Sequence, residues 1–302
     1  MNSLSDCLRQ IEARFDSLGL ELQRCARWAA DHPREVGLLS MRQQAQQAGA
    51  TPTSMVRMAR ALGYADYAAF RQPFQDALAS PVPAFRERAR SLQQVANTPA
   101  PRHQLDDDLE AVQLANVRSA GALNTDAALE AAVSAILKAR RVAFLGVRSC
   151  FAISHHFCYA YGLMAPNGLL VHGLGGTFPD QLDTLEPEDL LVCVTQQPYG
   201  RPTIEALQGC HERGVPVLAL TDSPLSPAAG FSAHMLYFEA RSPSYFHSML
   251  GSMALVEKLL TRLAGEGGPA VLERLSQTEN RLQQSKAYWA PPSAARRKSP
   301  KP

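Results

Sequence analysis

The chain lacks any run of about 18 apolar residues, so no segment reads as a membrane-spanning helix and no membrane partner is expected. Its start, Met1-Asn2-Ser3-Leu4-Ser5-Asp6, lacks the basic-then-apolar pattern of a secretory leader, and the expected place is the cytoplasm. The six cysteines, Cys7, Cys25, Cys150, Cys158, Cys193 and Cys210, include no C-x-x-C pair, which argues against a zinc site and against a disulfide framework. They read as reduced, buried thiols. Charge of one sign is also missing: 30 basic residues against 28 acidic ones leave only +2, which neither demands nor excludes a polyanionic partner.

The composition has the material for packed cores. It is 46% hydrophobic and 19% charged, and the mean hydropathy is −0.17, as expected of a soluble globular protein. At 302 residues the chain is too long for one ordinary core, since domains usually run to roughly 100–150 residues. Two units are expected, and breaker residues mark the seams. Ser80 to Pro101, SPVPAFRERARSLQQVANTPAP, has prolines at both ends and a short charged piece between, as a linker would. From Ala290 the sequence APPSAARRKSPKP reads as a disordered basic end. The expected division is residues 1–79, a linker over 80–108, a second unit over 109–285 and a basic tail over 286–302.

The first unit shows helical periodicity and no alternating strand pattern. Ser40 can cap a helix from Met41 to Ala48 with Met41, Ala45 and Ala48 on one face. Gly49 stops it, Thr51 offers a second N-cap, and Pro52 sits where a helix's first N–H has no partner to lose. This is a helix-turn-helix in outline. In the second helix Met55, Ala59 and Leu62 form the buried stripe, while Thr53, Arg57 and Arg60 share the opposite face with Ser54 beside them. Hydroxyls and an arginine so placed can reach base edges in a major groove. The expected DNA-contacting set is Ser40, Arg42, Thr51, Thr53, Ser54, Arg57 and Arg60. From Ser40 to Arg71 four arginines face one Asp66, a local +3 inside a nearly neutral chain.

The run from Cys25 through this helix pair to Leu62-Gly63-Tyr64 and Phe70, with its Asp31-His32-Pro33 stop, resembles the N-terminal domain of RpiR-type transcriptional regulators. The resemblance covers roughly residues 1–78 and implies binding to a double-stranded DNA operator, with nucleoid association in the bound state. One departure is Pro73, inside the expected last helix, where an internal proline predicts a kink.

After about residue 126 the pattern changes. Short apolar runs at Val142 to Leu145, Leu169 to Val171, Leu190 to Val194, Val217 to Leu220 and Met235 to Phe238 alternate with helix-length segments. Such runs are what a parallel sheet covered on both faces requires. The expected fold class is therefore multidomain: an all-α helix-turn-helix domain followed by an α/β sandwich on a five-stranded parallel sheet. Loops that leave strands and open helices are the candidate ligand sites. The first holds Gly146-Val147-Arg148-Ser149, the next Thr195-Gln196-Gln197-Pro198-Tyr199-Gly200-Arg201-Pro202-Thr203, and a third Thr221-Asp222-Ser223.

Residues from about Leu109 to Gly265 resemble a SIS (sugar isomerase) domain, with its leading helix pair, G-x-x-S turn, hydroxyl-rich loop, V-P-V-L-A-L-T-D strand and long final helix. The resemblance implies a homodimer, with a tetramer left open, and a bound phosphosugar or related small anionic metabolite that controls operator binding. The ligand set it implies, with neighbours added from the same loops, is Arg148, Ser149, Thr195, Gln196, Gln197, Tyr199, Arg201 and Thr203. The loops depart from the family pattern: Thr195 and Thr203 lie eight apart instead of five, Gly200 and Arg201 stand where serine and glycine are usual, and Arg148 replaces a glycine. Two readings stay open. The pocket has decayed and the domain only oligomerises, or Arg148 and Arg201 supply charge for another anion such as a carboxylate.

No cofactor and no metal site is expected, because adjacent His155 and His156 lie about 100° apart on a helix. His247 can reach the pocket mouth, although ordinary packing is the default, and Cys150 is either a buried inert thiol or one activated by a helix N-terminus. The alternatives to a regulator are a sugar-phosphate isomerase of the SIS type, with Glu205, Glu239 or His247 as base, and a ligand-independent DNA-bridging protein.

Overall fold

A computed structural model describes residues 4–79, 85–96 and 102–289. The expected basic tail lies, apart from its first four residues, outside the described residues. The head is all-α: α1 (Leu4–Arg14), α2 (Leu20–Asp31), α3 (Pro33–Leu38), α4 (Met41–Gln47), α5 (Pro52–Ala61) and α6 (Tyr67–Ala79). Its core holds Cys7, Cys25, Ala29, Met55, Met58, Leu62, Phe70 and Phe74, all buried. Phe70 lies tilted against Phe74 with ring centres 5.2 Å apart and meets Tyr64 edge-on at 5.4 Å. Each such side chain contributes about 1.5–3 kcal/mol by leaving water. α6 runs through Pro73, so the proline does not end the helix. Asp66 caps α6 through the Ala69 N–H at 2.8 Å.

Gln44 is fully buried in this core, which the apolar pattern does not reveal. Its amide donates to the carbonyls of Val36 at 3.0 Å and Leu39 at 2.8 Å, and its oxygen accepts from the Tyr67 hydroxyl. Arg71 donates to the carbonyls of Val36 and Gly37, both at 2.9 Å. It therefore closes the end of α3 and leaves three of the four arginines in the +3 segment free on the surface.

Helix α7 (Phe85–Ala96) follows, then α8 (Arg102–Ala122) and α9 (Asp126–Lys138). α8 begins inside the stretch expected to be linker. The sheet comprises β1 (Val142–Leu145), β2 (Gly168–Val171), β3 (Leu190–Thr195), β4 (Val217–Thr221) and β5 (His234–Tyr237), all parallel in the order β2-β1-β3-β4-β5. β1, β3 and β4 are buried at every position, as their unbroken apolar runs require. One face carries α8, α9, α10 (Cys150–Met164) and α13 (Leu250–Glu266), whose Ile153, Phe157, Leu255 and Leu259 pack with Phe144 and Val192. The other carries α11 (Phe178–Asp183) and α12 (Arg201–Glu212), with Leu182, Leu207 and Cys210 against Leu145, Cys193 and Ala219.

The final helix starts at Leu250, four residues after the expected Phe246, because the segment before it turns back along the strand ends. A further helix, α14 (Gly268–Gln284), extends the unit to the expected limit near residue 285. Leu225, in the loop after β4, packs into the core of the head.

Candidate functional site

Two surfaces gather the expected residues. On the head, Ser40 caps α4 with a full capping box, in which the Gln43 side chain returns to the Ser40 N–H at 3.0 Å. Gly49 then adopts φ +60°, which glycine reaches without strain, and the Thr51 hydroxyl accepts from the Ser54 N–H at 3.1 Å to start α5. Thr53, Arg57 and Arg60 stand exposed on one face of α5, with Arg42 exposed on α4. Ser54 does not join them. It is buried, bonded to the Thr51 hydroxyl at 2.7 Å and to the Glu21 carboxylate, so it packs α5 onto α2. At the third position of α5 it points inward one step after exposed Thr53. Thr51→Ala is expected to cost about 1 kcal/mol, read as a lower urea midpoint, through loss of the cap.

The second surface lies at the C-terminal ends of β1 and β3, where the strand order reverses and crevices form in open parallel sheets. Glycines let the loops close on each other. A Cβ at Gly146 would lie 2.5 Å from the Cys150 carbonyl oxygen and 2.4 Å from Ser154 Oγ, so α10 can start against the strand only because no side chain intervenes. A Cβ at Gly200 would lie 2.6 Å from Val147, which brings the loop after β3 onto the loop after β1. α10 and α12 both begin here, the first with Ser149 at its N-cap but no hydrogen bond from that side chain to the helix, the second with Gly200 at its N-cap. The first turns are closed by backbone carbonyls instead: the Cys150, Phe151 and Ala152 N–H groups donate to Val147, Arg148 and Ser149, and the Thr203 and Ile204 N–H groups donate to Gly200.

Polar atoms converge on the same crevice. Ser149 Oγ lies 3.0 Å from His247 Nε2. Gln196 is buried with its Oε1 unpartnered, Thr203 is buried with its Oγ1 unpartnered, and Ser154 Oγ beside Gly146 and His247 Nδ1 are in the same condition. Four of the seven such atoms among the described residues therefore sit around this crevice. Buried polar groups are nearly always paired, and a cluster of unpaired ones marks where another molecule supplies the partner. A cleft of 470 Å³ on the head, lined by Arg24, Arg27, Trp28 and His32 among others, contains none of these atoms.

Asp222, quoted in the V-P-V-L-A-L-T-D run but given no role there, organises the loop after β3. Its carboxylate accepts from the Gln197 N–H at 3.0 Å and from the Tyr199 hydroxyl at 2.9 Å. Burial raises the Asp222 carboxyl above the usual range, and these hydrogen bonds oppose the shift. Tyr199 is raised by burial and then by the Asp222 charge, so its phenol stays protonated and donates. Tyr199 thus holds the loop. Thr195 is buried at the end of β3 opposite Thr221.

The two arginines of the crevice loops differ in their surroundings. Arg201 is 89% exposed and bonded to Glu205 at 2.7 Å, an i,i+4 pair on the surface of α12, so its charge is answered away from the buried polar groups. Arg148 is exposed and adopts φ +53°, the left-handed region in which glycine is comfortable. Glu239 is paired with Arg241, and its backbone fits closely over Gly251 of α13. Burial pushes the Cys150 thiol up to about 11, against the activated alternative. His247 is lowered by burial and by the Arg88 charge, so it is neutral at pH 7 and offers one donor and one acceptor.

Residues 135–262 match the family model of the SIS domain. The C-terminal region carries a SIS domain. A search of curated proteins finds no match. Among solved structures, the SIS domain is similar to the sugar isomerase domain of an RpiR transcription factor from Sphaerobacter thermophilus, at 29% identity and TM-score 0.56, over 60% of this chain and 99% of that one. The chain is also similar in fold to the Vibrio vulnificus NanR protein complexed with ManNAc-6P, at 18% identity and TM-score 0.55, over 92% of this chain and 99% of that one. No described helix is long and apolar enough to cross a membrane.

Proposed function

We propose that the protein is an RpiR-type transcriptional regulator, in which the head reads operator DNA and the SIS domain binds a small anionic metabolite that changes DNA affinity. The observation that carries this reading is the joining of a capped helix-turn-helix, with Thr53, Arg57, Arg60 and Arg42 exposed, to a SIS domain whose crevice holds four unpartnered polar atoms. The likeness to a transcription-factor SIS domain supports it, as does the fold shared over 92% of the chain with a protein complexed with ManNAc-6P. The divisions at residues 79 and 285 are kept, and the start of the second unit is moved from residue 109 back to Arg102, where α8 begins.

The crevice and the head are joined through the loop after β4. Asp222 fixes the crevice loop while Leu225, three residues on, packs in the head, so one short loop touches both. A metabolite that prefers one placement of this loop shifts the placement of the head. Exposed apolar side chains on α8 (Leu114, Val117) and α14 (Leu272) offer material for a homodimer, which would present paired heads to a palindromic operator.

Footprinting of the full chain on the DNA upstream of its own gene, with and without a panel of sugar phosphates and sugar acids, tests the reading. Protection of two half-sites about one helical turn apart, altered by at least one metabolite, is expected. No protection at all would overturn it.

A further inference from the structure

We propose that Arg88, on helix α7 outside the SIS domain, helps to balance the charge of the bound anion, so that the effector site is shared between the SIS domain and the linker helix. The inference rests on the reading that this crevice binds an anionic metabolite. α7 is fastened to the segment that crosses the strand ends. Arg88 Nη2 donates to the Ser242 carbonyl at 2.7 Å, and the Phe85 ring stacks on Phe246 at 5.5 Å. Phe246 in turn lies 4.0 Å from the ring of His247, which reaches Ser149 at the start of α10. A continuous path therefore runs from α7 to the first loop of the crevice.

The charge inventory leaves two arginines near the crevice unanswered, and Arg88 is the one set against His247. Arg201 is answered by Glu205 and Arg241 by Glu239, whereas among the described residues neither Arg148, exposed on the first crevice loop, nor Arg88, whose hydrogen-bond partner is a neutral carbonyl, has a carboxylate. The Arg88 charge is near enough to lower the pKa of His247. A guanidinium without a carboxylate, beside a half-buried histidine whose Nδ1 has no partner, is a fork suited to phosphate or carboxylate. The departures in the loop after β3 remove a usual hydroxyl from the site, and Arg88 supplies binding capacity from another part of the chain. Because α7 follows the head directly in sequence, a ligand held by Arg88 also restrains the segment that leads to the DNA-reading helices.

Calorimetric titration of the full chain with matched pairs tests this: hexose and amino-sugar 6-phosphates with the free sugars, sugar acids with the parent sugars, and inorganic phosphate alone. Wild-type protein is expected to prefer the charged member of at least one pair. Arg88→Ala should lose roughly 10- to 100-fold in affinity for that member and little for its neutral partner, and Arg88→Lys should recover part of the loss. A purely structural role would weaken both members alike and would contradict the proposal, as would unchanged binding in Arg88→Ala, which leaves the regulator reading intact. Absence of binding by wild-type protein to every probe overturns both.

Discussion

Asp189→Ala is expected to destabilise the SIS domain by about 3 kcal/mol at pH 7, seen as a lower urea midpoint with unchanged slope. The carboxylate side chain is fully buried at the entry to β3, where Arg140 forks onto it with two bonds of 2.9 Å, Arg141 adds 2.9 and 3.2 Å contacts, and the Glu186 N–H bonds it at 3.0 Å. Burial alone would raise its pKa, but the hydrogen bonds from Arg140, Arg141 and Glu186 outweigh burial and hold it well below the usual range. Both arginines keep contact with water, at 52% and 35% exposure, and can be solvated when the carboxylate is removed, which keeps the loss near 3 kcal/mol rather than 5. The pH dependence follows in sign. A depressed carboxyl stabilises the folded state in full above its unfolded value of about 3.9, and the contribution falls by about 1.4 kcal/mol per pH unit below that. The gap between wild type and Asp189→Ala should therefore shrink on acidification between pH 4 and pH 3. A gap that widened would show the carboxyl to be neutral in the fold.

Arg57→Ala should leave stability unchanged, because the side chain is exposed, yet weaken operator binding by roughly 1–3 kcal/mol per half-site and so about 2–6 kcal/mol for a dimer on two half-sites. The position matters as much as the size. Arg57 lies one turn beyond Thr53 on the outward face of α5, where a recognition helix meets base edges. Selection of binding sites from a random pool should therefore show lost preference at one base position per half-site. Equal weakening on all sequences, with a reduced salt dependence, would put Arg57 on a phosphate instead.

The parts of this architecture legible in the sequence are those set by local pattern. The five strands fall within one residue of their apolar runs, since a strand buried on both faces must be apolar throughout, and Ser40, Gly49, Thr51 and Pro52 mark the helix-turn-helix by capping chemistry that acts over three or four residues. Ser54 was misread because a small hydroxyl is compatible with either face of a helix, and its partner Glu21 lies 33 residues away. The same holds at the crevice. Arg148 and Arg201 look alike as anion ligands in sequence, but the i,i+4 pairing with Glu205 answers Arg201, whereas Arg148 stays exposed on the first loop. His247, already a candidate for the pocket mouth from its place near the last helix, meets Ser149 from 98 residues away, whereas Arg88 bonds Ser242 across 154 residues and no motif announces it. Gln44 stayed hidden for a related reason: a buried amide is acceptable only once Val36, Leu39 and Tyr67 satisfy it, and that is a tertiary fact.

The central claim is that one chain links metabolite binding in the SIS crevice to DNA binding by the head. The most direct measurement is a closed cycle on the full protein: operator Kd with and without the metabolite, and metabolite Kd with and without operator. Linkage requires both ratios to be the same factor, expected in the range of about 5- to 150-fold. A metabolite that binds tightly while leaving operator affinity unchanged, within error, would contradict the account.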